Sequence, residues 1–399
     1  MRLFKHPLFV HSDKGVWVSD FIQEFEKHTE FEYHILAMHN GMRNKMMEFD
    51  INGIHYHFMK SDHGLLFDTL NAKFHISERN NYRHYRRLIH QVIDRISPEI
   101  VVLCGAENPE YSLAALDVEK YPVYCLLQTV LNNSKLMKYT KEACGYRADC
   151  EKKVFQKVNY FGTSSAEYYS LYININPKAL CLSINFPSHN PPKFPDVVKE
   201  YDFVFFGRMT KNKGVEDVIK AMGVIIKYHP DATLCLIGSA SPEYDTILHK
   251  LAEENNVSQN IIFKPRYELL DNLYAEVQKS HIALLPGITA FNSTVREAML
   301  MGMPTIVYDI PIVESINAEK MCLLAARMED VYDLAEKMRY AMDNPLKMRE
   351  IATNGSNYAY QQFSNSLIGD KITANFEAII NNYYKGIPIK DDLLLSYSE

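Results

Sequence analysis

Two loops carry side chains whose types and spacing can do chemistry. The first is Gly207-Arg-Met-Thr-Lys-Asn-Lys-Gly214. Arginine's planar fork matches phosphate oxygens in pairs, and lysine adds a point charge, so Arg208 and Lys213 suit one anion held between them. The second runs from Gly287 to Glu297, GITAFNSTVRE. It leads into a helix whose first N–H groups, near Ser293 and Thr294, have no partner within the helix and sit at the positive end of its dipole. Glu297 reads in two ways. Thr294-x-x-Glu297 fits a capping box, and a carboxylate at that place also suits a sugar's vicinal hydroxyls. Gly15, in a Ser-Asp-Lys-Gly turn, either lets backbone approach a ligand or simply closes the turn.

Both loops are placed by the elements around them. Residues 202–206 form an apolar strand that ends at Gly207, and 214–228 read as a helix with Val215, Val218, Ile219, Met222 and Ile225 on one face. Residues 282–286 are too short for a helix and read as a buried strand. A helix over 294–301 follows, stopped by Gly302 and Pro304, and then a strand over 305–308. Strand–loop–helix units of this kind join parallel strands, and ligands bind beyond the strands' carboxyl ends. A solvated basic loop is the commoner role for either loop alone. Two of them at one sheet edge, beside a helix start, favour a diphosphate.

The rest of the chain alternates in the same way. Strands are expected at 7–11, 31–38, 54–59, 100–105, 123–128, 178–184, 233–237 and 261–263. Helices are expected at 16–28, 80–96, 109–118, 242–255, 268–279, 330–342, 346–363 and 366–384. The pattern predicts parallel sheets covered on both faces. Residues 132–160 are basic and helix-permissive; they read as a solvated helix pair or as a membrane- or acceptor-facing patch, and Arg83, Arg86 and Arg87 share that choice. A proline-rich stretch over 190–196 marks a linker. The expected division is 1–190, 197–365, and a returning helix with a mobile tail over 366–399.

At 399 residues and 47% hydrophobic, the chain has enough apolar content for two globular domains. A net charge of −6 argues against a general nucleic-acid binder. The charge is uneven: residues 1–198 carry +1 and hold twelve of the fifteen histidines, while the remainder carries −7. The halves therefore meet different partners. Seven cysteines without a C-x-x-C pair read as buried thiols in a reducing compartment. No signal peptide and no bilayer-length apolar run is found, so a cytoplasmic protein is expected, with peripheral contact at the membrane's inner face left open through the first domain. The sequence contains no G-x-G-x-x-G, P-loop, H-E-x-x-H, Asp-x-Asp or G-x-S-x-G motif.

Phe206-Gly-Arg-Met-Thr-Lys-Asn-Lys-Gly214, Leu236-Ile-Gly238 and Arg296-Glu-Ala-Met-Leu-Met-Gly-Met-Pro304 together resemble the donor half of GT-B glycosyltransferases. More narrowly, they resemble the retaining enzymes of family 4. The resemblance implies an α/β chain of two Rossmann-like domains facing across a cleft. It implies transfer of a sugar from a nucleotide diphosphate sugar to a glycan or lipid-linked acceptor, in cell-surface polysaccharide or glycolipid synthesis, without metal or cofactor. In those terms Arg208 and Lys213 hold the diphosphate and steady it as it leaves. Glu297 binds the ribose, the N–H groups of Ser293 and Thr294 support the phosphates, and Arg266, in Lys264-Pro-Arg-Tyr267, lies near the base. The final helix returns to the first domain. Two positions depart from the family. Thr289 stands where a second glutamate reads the donor sugar, and Gln128, beside Thr129 and Asn132, stands where a histidine lies near the reacting carbon. Glutamine cannot relay a proton. Two rival readings are a nucleotide-sugar 2-epimerase and a non-catalytic nucleotide or glycan binder.

Overall fold

The computed structural model describes residues 16–39, 42, 44–61, 65–127, 129–188, 191–192, 194, 197–288 and 291–395. The chain packs as two compact units. One holds Val18–Phe186 together with the stretch from Ser366 onward, and the other holds Pro187–Asn365.

The first unit contains two sheets. β1 (Tyr33–His39), β2 (Met46–Ile51) and β3 (Ile54–Lys60) lie in the order β1-β3-β2, with β1 parallel and β2 antiparallel to β3. β2 was not expected from the sequence. Its hairpin turns at Asn52-Gly53, where both residues have positive φ (51° and 81°). This is the mirror-image turn that Asn-Gly favours. β4 (Val101–Cys104), β5 (Val123–Leu126), β6 (Tyr160–Thr163) and β7 (Leu180–Ser183) form a parallel sheet in chain order. The helix Arg83–Ile96 buries Tyr85, Ile89, Val92 and Ile93, at helical spacing along one face. The expected pair of helices after residue 132 is instead one helix, Ser134–Lys157. No proline interrupts it, and a Cβ added at Gly145 would meet open space, so nothing forces a break there.

The last helix, Asn365–Lys385, feeds polar side chains into this unit. Asn375 donates to the buried Tyr124 hydroxyl at 3.1 Å, and the Tyr160 hydroxyl donates to Asn382 at 2.7 Å. The tail beyond Gly386, expected to be mobile, is pinned as far as Leu395. Ser183 N–H donates to Leu393 O at 2.8 Å, and Leu395 N–H donates to Cys181 O at 2.9 Å. These bonds occupy the open edge of β7, which would otherwise present unpaired backbone groups.

The second unit is one six-stranded sheet: β8 (Tyr201–Arg208), β9 (Leu234–Ser239), β10 (Ile261–Lys264), β11 (Ser280–Leu284), β12 (Thr305–Tyr308) and β13 (Leu324–Ala326). The order is β10-β9-β8-β11-β12-β13, and every pairing is parallel. Phe203–Phe206 of β8 are buried on both faces, which is why this strand reads as a continuous apolar run. Among the described residues no helix is long and apolar enough to cross a membrane. The six described cysteines are free thiols, five of them buried.

Candidate functional site

The strand order of the second unit reverses between β8 and β11. In an open parallel sheet the loops leaving the carboxyl ends of two such strands diverge and leave a crevice for a ligand. The two loops leaving that point are the two singled out by their side chains. Arg208 is the last residue of β8 and is exposed. The chain then turns through a short 3-10 helix, Lys211–Lys213, into the helix Val215–Ile225. Thr210 Oγ1 donates to Asn212 Oδ1 at 2.7 Å, and Ile288 N–H donates to Asn212 O at 3.0 Å, tying the β8 loop to the β11 loop. The loops also press together at Gly214, whose φ is 74°. A Cβ there would lie 2.3 Å from Pro286 O, so only glycine fits.

The second loop ends in the helix Ser293–Leu300. Its N-cap is Asn292 rather than Thr294, so the capping-box reading of Thr294-x-x-Glu297 fails. Thr294 is the second helical residue and Glu297 the fifth, one turn too deep for reciprocal capping. Asn292 makes no side-chain cap either. Its Oδ1 instead accepts from Lys213 Nζ. The first helical N–H groups, those of Ser293 and Thr294, lack intrahelical acceptors by geometry. A Cβ built on Gly207 would lie 3.3 Å from Thr294 Cγ2, so the end of β8 abuts this helix start.

The electrostatics agree. Lys213 is held down to about 8, first by burial and then by the positive charge of Arg208. Two cations thus converge beside the amino end of a helix, an arrangement that favours an anion. Glu297 is buried at 5% exposure and engaged within the fold. Arg266 is exposed in the loop after β10, two strands away from β8. Its neighbours are committed elsewhere: Lys264 pairs with Glu276 at 2.6 Å, and the Tyr267 hydroxyl reaches the same carboxylate at 3.4 Å. Arg208, Lys213, Ser293, Thr294 and Glu297 therefore fall on the β8 loop and on the helix that the adjoining β11 loop enters, and Arg266 stands apart at the same sheet edge. Gln128, Thr289 and Gly15 lie outside the described residues.

Reading the sequence missed Asn292, although asparagine just ahead of a helix is a strong N-cap signal. It also missed a carboxylate pair at the carboxyl edge of the β4–β7 sheet. Glu151 accepts from Leu131 N–H, Asn132 N–H and Asn132 Nδ2 at 2.9, 2.9 and 2.8 Å, and so fixes the loop after β5. Asn132 is thereby held in place, its Nδ2 also donating to Ala148 O at 2.9 Å. Glu107, after β4, is pushed above the usual carboxylate range by burial, and its buried Oε2 has no hydrogen-bond partner. Arg83, Arg86 and Arg87 line a surface depression together with His90, Asp94 and Asp117, and Arg86 is paired there with Asp117; of the 132–160 stretch, the side chains of 134–144 lie outside the described residues.

The sequence profile of the family Glycosyl transferases group 1 matches residues 189–361. The chain is 24% identical, over 173 residues, to the GDP-mannose-dependent monoacylated alpha-(1-6)-phosphatidylinositol monomannoside mannosyltransferase of Corynebacterium glutamicum. That match spans 42% of this chain and 44% of the relative, less than half of either. Among solved structures, sucrose-phosphate synthase from Thermosynechococcus elongatus matches with a TM-score of 0.71 at 13% identity, over 90% of this chain and 92% of that one. A glycosyltransferase from Rickettsia africae matches with a TM-score of 0.63 at 15% identity, over 88% and 99%. Anabaena HepE in complex with UDP and glucose matches with a TM-score of 0.57 at 15% identity, over 73% and 81%. At these identities the structural matches speak to fold alone, and that fold is the α/β GT-B class.

Proposed function

We propose, from a profile match confined to residues 189–361, that the protein is a retaining glycosyltransferase. It moves a sugar from a nucleotide diphosphate sugar to an acceptor hydroxyl, in the synthesis of a cell-surface polysaccharide or glycolipid. The observation that carries this reading is the convergence of Arg208, Lys213 and the start of the Ser293–Leu300 helix where the strand order reverses. Charge builds on the diphosphate as the bond to the sugar breaks. Fixed cations and N–H groups aimed at that charge stabilise the transition state more than the ground state. Arg208 supplies a fork, Lys213 a proton-bearing point charge, and the helix start its unpaired N–H groups. The diphosphate is met by these groups without a metal ion. Glu297 takes the ribose hydroxyls, and Arg266 faces the base.

The acceptor is assigned to the first unit, whose Arg83–Arg87–His90 depression suits a glycan or a lipid-linked headgroup bearing negative charge. The protein then works in the cytoplasm, touching the inner face of the membrane where the acceptor is lipid-linked. The relatives suggest where to begin with donors: one is named for GDP-mannose, and HepE is bound to UDP and glucose. The test is a hydrolysis and transfer screen across UDP-, GDP-, ADP- and dTDP-sugars. Release of free nucleotide from one donor, with retention at the anomeric carbon of the product, supports the proposal. A free epimerised nucleotide sugar, or tight nucleotide binding with no turnover of any donor, overturns it.

A further inference from the structure

A second polar constellation lies in the first unit and plays no part in the diphosphate grip. In the β1–β3–β2 sheet His34 stands in register with His55, Asp50 with His55, and Glu48 with His57. All five side chains therefore share one face of the sheet. The imidazoles of His34 and His55 stack at 4.7 Å, and those of His34 and His57 at 5.3 Å. Glu32, just ahead of β1, turns its carboxylate onto the outer end of this stack.

The ring protons decide what the cluster can hold. Glu32 Oε1, His34 and His57 are linked in a chain that ends on Glu48 Oε1, with contacts of 2.9, 3.0 and 2.7 Å. Three hydrogen bonds need three protons; one ring proton on each imidazole supplies two of them, and the third contact needs a further proton or a cation. Glu48 stays ionised. It is held below the usual carboxylate range by hydrogen bonds from His57 and Arg95. His57 Nδ1–H therefore donates to Glu48 and His34 Nδ1–H to His57. This leaves the His34 Nε2 lone pair 2.9 Å from Glu32 Oε1. The other ring is set the same way. His55 Nδ1–H donates to Asp50 Oδ1 at 2.5 Å, which leaves His55 Nε2 as a lone pair 3.7 Å from that same Glu32 oxygen.

Two imidazole lone pairs and a carboxylate oxygen, all within 4.8 Å of one another, thus converge with nothing to donate between them. A further ring proton or a metal cation resolves that contact. We propose that Glu32, His34 and His55 bind a divalent transition cation of the zinc class. Zinc takes imidazole nitrogen and carboxylate oxygen at about 2.0–2.2 Å, which sets tetrahedral donors roughly 3.4 Å apart. The two separations from Glu32, 2.9 and 3.7 Å, bracket that spacing, and the separation between the two histidine donors lies within 4.8 Å. The outer partners match what such sites require, because a metal-bound histidine passes its other ring proton to a carboxylate or an acceptor that fixes its tautomer. Asp50 does this for His55, and His57, backed by Glu48 and Arg95, does it for His34. Three protein donors leave a fourth position for water. A +2 ion also balances Glu32 and Asp50, since Arg95 answers Glu48.

The experiment uses the full-length chain without a histidine tag, stripped with chelator and titrated with zinc chloride by calorimetry, with thermal unfolding followed in parallel. Cobalt(II) serves as a visible-absorption probe of the ligand geometry. The wild type is expected to bind one equivalent and to melt at higher temperature when loaded. Glu32→Gln, at a side chain 71% exposed and safe for folding, should weaken zinc at least tenfold while leaving the unfolding midpoint of the metal-free protein and nucleotide binding unchanged. His55→Gln should do the same. No saturable uptake by the wild type, or uptake unchanged in the Glu32→Gln/His55→Gln double variant, overturns the proposal. So does a midpoint that responds to acidification but not to zinc, which would make the missing cation a proton.

Discussion

Lys213 Nζ donates its hydrogen bond to the side-chain oxygen of Asn292, the residue at the N-cap of the Ser293–Leu300 helix. An N-cap side chain normally accepts from the backbone of its own helix. Here it is turned outward to hold a cation, and the helix start is left for something else. The contact joins the two loops at the reversal of strand order, between residues 79 apart in the chain.

Arg208→Ala and Lys213→Ala should each raise the dissociation constant for the nucleoside diphosphate at least tenfold, about 1.4 kcal/mol. Asn292→Ala should cost less affinity, and it should barely move the unfolding midpoint, because no cap is lost. Calorimetric titration and thermal melts of the three variants check this. Unchanged affinity in both cation variants would remove the pair from the site.

Binding should take up a proton near pH 8. The Lys213 amine titrates at about 8 in the free protein, and a bound diphosphate raises it again by supplying the opposite charge. Affinity should therefore fall as pH rises past 8. Titrations in two buffers of different ionisation enthalpy should show uptake of a fraction of a proton, absent in Lys213→Met. For the empty protein the sign is reversed. The folded-state value lies below that of an unfolded lysine, near 10.4, so the unfolded chain binds more protons in between and this group adds stability as pH rises through that window.

Glu297→Gln separates ribose from phosphate. Loss of a charged hydrogen-bond acceptor should weaken a nucleoside diphosphate by about 1.5–3 kcal/mol. Inorganic pyrophosphate, which has no ribose, should bind the variant and the wild type alike. Equal weakening of both ligands would assign Glu297 to holding the helix in place.

Gly214→Ala puts a Cβ at positive φ against the carbonyl of Pro286. The loops must then separate, at a cost above the ~1 kcal/mol of the conformational term alone. The expected outcome is an unfolding midpoint lowered by several degrees, with nucleotide affinity falling in step. A variant as stable as the wild type would show that the two loops are not locked there.

The α/β alternation and the position of both loops were legible because buried parallel strands such as Phe203–Phe206 read as unbroken apolar runs that end in glycine. β2 was not, since Met46–Ile51 alternates charged and apolar residues over a part-exposed edge, and the Asn52-Gly53 signal was the only clear cue. The helix start was blurred for a local reason: Asn292, Ser293 and Thr294 are three good caps in a row, and propensity cannot choose among them. The choice of Asn292, the tie from Lys213 and the pinning of the tail on β7 are tertiary contacts, invisible to any reading by local windows. The histidine–carboxylate stack is of the same kind, because it exists only once β1 and β3 are in register.

The return of the last helix sets an order of events during synthesis. Tyr124 and Tyr160 receive their partners from Asn375 and Asn382, and β7 has its edge covered by Leu393 and Leu395. In the chain, Pro187–Asn365 lies between the two segments that make up the first unit, so that unit's early segment is made well before its late one. The first unit therefore closes only when the last helix and Leu393–Leu395 join it; until then the edge of β7 is open and the hydroxyls of Tyr124 and Tyr160 lack Asn375 and Asn382.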